Sequence, residues 1–107
     1  MVRFACALAL WLSMPGIAQA LEDGCAVVMV SPGGVLSLRS GPGTTYPEVM
    51  LLRSGQFVSI DDLAGDPEGR WWHITGLLEP RPRRGFRATR RIEGWANGRY
   101  LHQINCD

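Results

Sequence analysis

Leu36-Ser37-Leu38-Arg39-Ser40-Gly41-Pro42-Gly43-Thr44-Thr45-Tyr46-Pro47 is the stretch on which the reading of the fold turns. Leu36 and Leu38 alternate with Ser37 and Arg39, which is the period of a half-buried strand. The densest turn chemistry of the chain follows at once. Gly41 and Gly43 reach backbone angles closed to other residues, and Pro42 and Pro47 fix φ and remove amide donors. A strand that runs straight into such a loop belongs to a fold of short strands and tight turns.

The flanking sequence repeats that pattern. On the N-terminal side, residues 26–31 are apolar and β-branched (Val27, Val28, Val30), and Pro32-Gly33-Gly34 is a turn. On the C-terminal side, residues 48–52 resume an extended run and Ser54-Gly55 turns it. Residues 56–63 predict a strand with Val58 and Ile60 inward and Ser59 and Asp61 outward. Asp66-Pro67-Glu68-Gly69 suits a type I turn, with Asp first, Pro second and Gly fourth, so it predicts a hairpin into a strand over 70–75. Trp72 and Ile74 share one face of that strand; Trp71, His73 and Thr75 share the other. Residues 77–91 show no clear period and carry Pro80, Pro82 and Gly85, which predicts a long loop with an extended hairpin tip. A short strand over 92–96, a tight or 3₁₀ turn over 97–100 and a last strand over 101–104 complete the chain. Nothing reads as an amphipathic helix, so the expected class is all-β, a small barrel or sandwich.

Composition bounds the rest. Residues 1–20 have the form of a signal peptide: a positive start at Arg3, an apolar run over 4–12, a break at Pro15-Gly16 and a small-residue cleavage site ending at Ala20. The apolar run is too short for a membrane span, which takes about 20 residues. The expected organisation is therefore a signal peptide over 1–20 and one exported domain over 21–107, with no stable membrane span after cleavage. Cys6 leaves with the signal. Cys25 and Cys106 remain near the two ends, and an even count in a small exported domain predicts a disulfide, two free thiols being the alternative. A periplasmic or secreted location follows from the same two features.

All eleven basic residues are arginine. After loss of Arg3, ten arginines face ten acids, a net charge of zero that argues against a nucleic-acid binder. The balance is uneven: residues 79–93 hold six arginines and two glutamates, net +4.

Read in order, the opening stretch, Leu52-Arg53-Ser54-Gly55-Gln56, Trp71-Trp72-His73-Ile74 and Gly94-Trp95-Ala96-Asn97-Gly98-Arg99-Tyr100-Leu101 resemble the bacterial Src-homology-3-like (SH3b) domain, over about residues 35–101. The resemblance implies an SH3-like barrel of five to six short, strongly bent strands whose termini approach each other. That arrangement agrees with a Cys25–Cys106 bridge. It also implies a non-enzymatic module of the bacterial envelope that engages peptidoglycan or peptides. The chain departs from the pattern at 77–91, where family members close the hairpin in a few residues, so one long basic hairpin loop is expected here.

Catalysis is not expected. His73 lies mid-strand and His102 in the last strand, both read as surface or half-buried positions; no serine sits in a nucleophile elbow, and Asp61-Asp62 would point to opposite faces. Two cysteines and two histidines lack ligand spacing, so neither metal nor cofactor is expected. Binding has two candidate sets. The first is aromatic. Trp71, Tyr100 and Tyr46 are similar in position to the residues that line the peptide groove of the eukaryotic relatives, and flat rings suit a preformed extended peptide. The competing reading has such rings, Tyr46 and Trp95 above all, cementing the barrel. The second is the arginine run, in which Arg81, Arg83, Arg84 and Arg87 stand out, with Arg90 and Arg91 beyond. Guanidinium forks pair with carboxylate or phosphate, and the competing reading is a solvated insertion. The expected function is recognition of a peptide or peptidoglycan component by a monomer, with the arginines as an anionic clamp on the groove. The alternative is a regulatory or inhibitory subunit that docks a partner protein through the arginine-rich 79–93 segment.

Overall fold

The computed structural model of the chain describes residues 23–61 and 68–107. The proposed signal peptide, Leu63 and the Asp66-Pro67 half of the type I turn lie outside them. Seven strands form one antiparallel sheet that curls into a half-barrel: β1 Asp23–Val28, β2 Val35–Arg39, β3 Glu48–Arg53, β4 Phe57–Asp61, β5 Trp71–Pro80, β6 Phe86–Asn97 and β7 Leu101–Ile104. The order across the sheet is β3-β2-β6-β5-β4-β1-β7. A single 3₁₀ turn, Gly98–Tyr100, joins β6 to β7.

Period-two alternation explains which residues face inward. Leu36 and Leu38 of β2 are buried, as are Val58 and Ile60 of β4. They meet Ala26 and Val28 of β1, Leu52 of β3, Ile74 of β5, Ile92 and Ala96 of β6 and Leu101 of β7 in one core to which every strand contributes. Full burial of a side chain such as Leu38 is worth about 1.5–3 kcal/mol. The sheet curls sharply where β2 meets β6 through a single register pair, Arg39 with Trp95. Gly94 makes that crossing possible, because a Cβ there would lie 2.7 Å from both the Arg39 carbonyl oxygen and Leu38 Cγ.

The two cysteines form a disulfide across 81 positions of sequence, with their Cα atoms 5.4 Å apart. It fastens β1 to the tail beyond β7, beside the β1–β7 ladder in which Cys25 opposes Ile104. A disulfide of this kind fits an oxidising, extracytoplasmic compartment. Among the described residues, no helix is long and apolar enough to cross a membrane.

Two expectations are corrected. The strands number seven rather than five to six. Residues 77–91 are not a long loop: β5 continues to Pro80 and β6 starts at Phe86. Only residues 81–85 turn, closed by the Arg81 amide donating to the Gly85 carbonyl at 3.0 Å. The period was hidden because the β5–β6 ladder slips twice, between Ile74 and Gly76 and between Leu77 and Leu78. Each slip moves the alternation by one position. The prolines fit because Pro80 ends its strand and Pro82 lies in the turn, where no ladder donor is required.

Candidate functional site

An open cleft of about 390 Å³ lies between the outward face of β2 and the junction of β5, β6 and the 3₁₀ turn. Val35, Ser37 and Arg39 reach it from the less buried side of β2, and buried Leu36 also borders it, whereas Leu38 does not. Trp71 enters from the start of β5, and Asn97 from the position opposite it in the β5–β6 register. Tyr100 closes one end from the 3₁₀ turn.

That turn is held from several sides. The Asn97 side-chain oxygen accepts from the Arg99 amide at 2.9 Å, an N-cap for the turn. The Gly98 amide donates to the Arg70 carbonyl at 2.7 Å, and the Met29 amide to the Tyr100 carbonyl at 2.8 Å. Gly98 lies flat on the Trp72 indole, where any side chain would collide. Trp72 itself packs against the core and donates from Nε1 to the Gly69 carbonyl at 3.2 Å. The Trp71-Trp72 pair thus divides its work: Trp72 packs on the core and holds the turn, and Trp71 stays half-buried on the cleft wall.

The structure brings Trp71 and Tyr100 together but separates the remaining predicted residues. Tyr46 is 45% exposed and does not line the cleft. Its ring covers Gly41, leaving no room there for a side chain, and its carbonyl accepts from Arg39 Nη1 at 3.0 Å. Arg81, Arg83, Arg84 and Arg87 are all exposed on the distal hairpin, none of them in the cleft. Trp71 pairs with Asn97 at one end of the β5–β6 ladder and Pro80 with Phe86 at the other. Those ends are separated by about 30 Å of extended strand at roughly 3.3 Å per residue. Arg87 is engaged locally, donating from Nε to Glu79 Oε1 at 2.9 Å.

The cation in the cleft is Arg39, which was not among the sequence candidates. Its signal was present in the alternation, since Arg39 has the outward parity of Val35 and Ser37 and directly precedes the loop. Its meeting with Trp71 and Tyr100 depends on strand pairings that local sequence does not display.

His73 also departs from expectation: it is buried, 9% exposed. The Trp95 ring leans on it at 4.7 Å. Its Nε2 lies 3.0 Å from Glu93 Oε2 and its Nδ1 3.6 Å from Asp61 Oδ2. His102 is exposed. Among the described residues, no three His, Cys, Asp or Glu side chains converge as a metal site would require.

No known protein family, curated protein or solved structure matches this chain.

Proposed function

We propose that the protein is an exported, monomeric binding module of the bacterial envelope. In this reading residues 1–20 are removed after Ala20, and the cleft takes an extended peptide of the kind a peptidoglycan stem or an envelope protein supplies. The SH3-like assignment belongs to the same proposal and rests on the motif resemblance. The observation that carries the reading is the meeting of Trp71, Tyr100 and Arg39 in one open cleft from three separate parts of the chain. Two rings offer flat apolar surface at little entropic cost. One guanidinium offers a fork for a carboxylate. A ligand with an apolar backbone stretch and a single carboxylate matches both.

Titration of tryptophan fluorescence with a soluble muramyl stem peptide tests the reading, alongside co-sedimentation with purified sacculi. Binding should weaken about tenfold or more on Trp71→Ala, because truncating an aromatic anchor of a binding surface typically costs about 1–2 kcal/mol or more. Arg39→Gln should weaken it further for ligands that end in a carboxylate. Binding unchanged in both variants would sink the cleft reading.

A second reading has one observation in its favour. Arg81, Arg83 and Arg84 stand on the turn that caps the β5–β6 ladder, with no carboxylate partner among the described residues. They fit the docking of an acidic partner protein. Retention of such a partner from envelope extract, lost when Arg81, Arg83 and Arg84 become Gln, would favour this reading over the cleft.

A further inference from the structure

Building on the cleft reading above, we infer that the Trp71 cleft takes its ligand by strand addition and that the ligand is the free C-terminal end of a polypeptide of L-residues.

A paired strand offers its backbone polar groups to alternate sides. In β2 the sides can be assigned. The Ser40 amide donates to the Pro47 carbonyl at 2.9 Å, on the side of β3. Two and four residues back, Leu38 and Leu36 turn the same way, opposite Met50 and Leu52. Arg53 agrees, because its amide donates to Gln56 Oε1 at 2.7 Å and not to Val35, which stands opposite it. Val35, Ser37 and Arg39 therefore turn their amides and carbonyls away from β3.

On that side β2 has a single ladder pair. Arg39 pairs with Trp95, and no β6 residue pairs with Ser37 or Val35. β6 ends at Asn97, and the chain leaves in the 3₁₀ turn. The amides and carbonyls of Val35 and Ser37 are thus left facing the gap, and both residues line the cleft together with Asn97 and Tyr100. Leu36 borders it as well although its side chain is buried, as expected where a cleft runs along the edge of a strand. An unpaired strand edge is a template for an extended chain.

The gap also fixes which end of the ligand it holds. It closes at Arg39, where β6 takes the next place on the β2 edge. Gly94 lies so near there that a Cβ would be 2.7 Å from the Arg39 carbonyl oxygen. A strand laid along Val35 and Ser37 cannot run on past that point, so it ends there. The charge that meets it is a guanidinium. Arg39 Nη1 donates to the Tyr46 carbonyl at 3.0 Å, Arg39 makes no ion pair among the described residues, and no acidic residue lines the cleft. Glu48, opposite Arg39 in the β2–β3 register, accepts from Ser37 Oγ at 2.7 Å. A C-terminal carboxylate suits the guanidinium, and an α-ammonium does not. The ligand therefore runs parallel to β2 with its carboxylate at Arg39, every second amide directed at β2, and its side chains beside Trp71 and Tyr100.

The experiment presents residues 21–107, disulfide intact, with two synthetic pools of acetylated pentapeptides randomised at every position. One pool has free C-termini and the other is C-amidated; retained peptides are identified by mass spectrometry. The best free-carboxylate peptide, resynthesised and titrated by tryptophan fluorescence, should lose at least about tenfold in affinity on amidation, as loss of a charge-assisted contact implies. Single N-methylation along that peptide should weaken binding at every second residue and spare the residues between. Arg39→Gln should bring the free-carboxylate form down to the affinity of the amide, while the amide binds variant and parent alike, which shows that the variant is folded. Arg53→Gln should leave both forms unchanged. A muramyl stem pentapeptide should bind at least about tenfold more weakly than the L-peptide, because its γ-linkage and D-residues break the two-residue spacing of amides along one edge. Equal binding of amide and carboxylate, N-methyl effects without a two-residue period, or a stem peptide that binds as well as the L-peptide overturns the inference; if Trp71→Ala still weakens that binding, the cleft reading survives. No retention from either pool overturns both.

Discussion

Breaking the Cys25–Cys106 bond by reduction should remove a large share of the stability of the domain without changing its fold. The magnitude follows from the 81 positions that the bond spans. In the chain-entropy treatment a crosslink of that length restricts the unfolded ensemble by about 4.5 kcal/mol at 25 °C. The native state has other means of holding the same ends together. Cys25 through Val28 pair with Leu101 through Ile104, and Leu101 is buried in the core. Reduction therefore acts on the unfolded chain more than on the folded one. Single domains are stable by only about 5–15 kcal/mol, so the reduced protein should sit near the lower limit. The assay is paired denaturant and thermal unfolding of oxidised and reduced residues 21–107, followed by far-ultraviolet circular dichroism. At roughly 4–8 °C per kcal/mol for a domain of this size, Tm should fall by about 20–35 °C while the folded spectra superimpose. Mass spectrometry provides the companion check: two alkyl labels should appear only after reduction. A stability loss below about 1 kcal/mol with the bond verified intact beforehand would refute the reasoning, because the unfolded ensemble would then not behave as an unconstrained chain.

Two further predictions separate strain from surface charge. Gly94→Ala should cost about 1–3 kcal/mol in urea unfolding, because its Cβ would meet the Arg39 carbonyl and Leu38 at the one register pair that joins β2 to β6; a change below about 0.5 kcal/mol would show that the crossing has slack. Arg87→Ala removes an ion pair with Glu79 whose side chains are both largely exposed, and should cost under about 1 kcal/mol, with the loss shrinking further in high salt.

Much of the fold was legible locally. The alternation of Leu36 with Leu38 and of Val58 with Ile60 shows which side of each strand is buried, because side-chain direction repeats every second residue whatever the strand later pairs with. Residues 97–100 read as a tight or 3₁₀ turn, and the structure has a 3₁₀ turn there, capped by the Asn97 side chain. Cysteine count and export pointed to the Cys25–Cys106 bond that the structure contains. The distal hairpin was not legible, because two slips in its ladder erase the period that marks a strand, and arginine and proline fill the remaining positions with the composition of a loop.

The candidate sites divide along the same line. Composition and motif order were enough to single out Trp71, Tyr100 and the arginine run as chemistry worth locating. They were not enough to say which of these share a surface. That depends on long-range register. Trp71 stands opposite Asn97, which leads directly into the turn bearing Tyr100, whereas the arginines of the hairpin tip flank the far end of the same ladder. Arg39 becomes a cleft residue only because β2 is folded across β6 at Gly94. Thr75 and Thr89 border one surface recess only because two ladders each accommodate one extra residue beside Gly76. Sequence by itself determined the strands outside the distal hairpin, their buried faces and the staple, since those follow from the period and chemistry of neighbouring residues. Tertiary structure alone decided which side chains meet, since a one-residue slip between strands distant in sequence moves a side chain to another face and leaves no local trace.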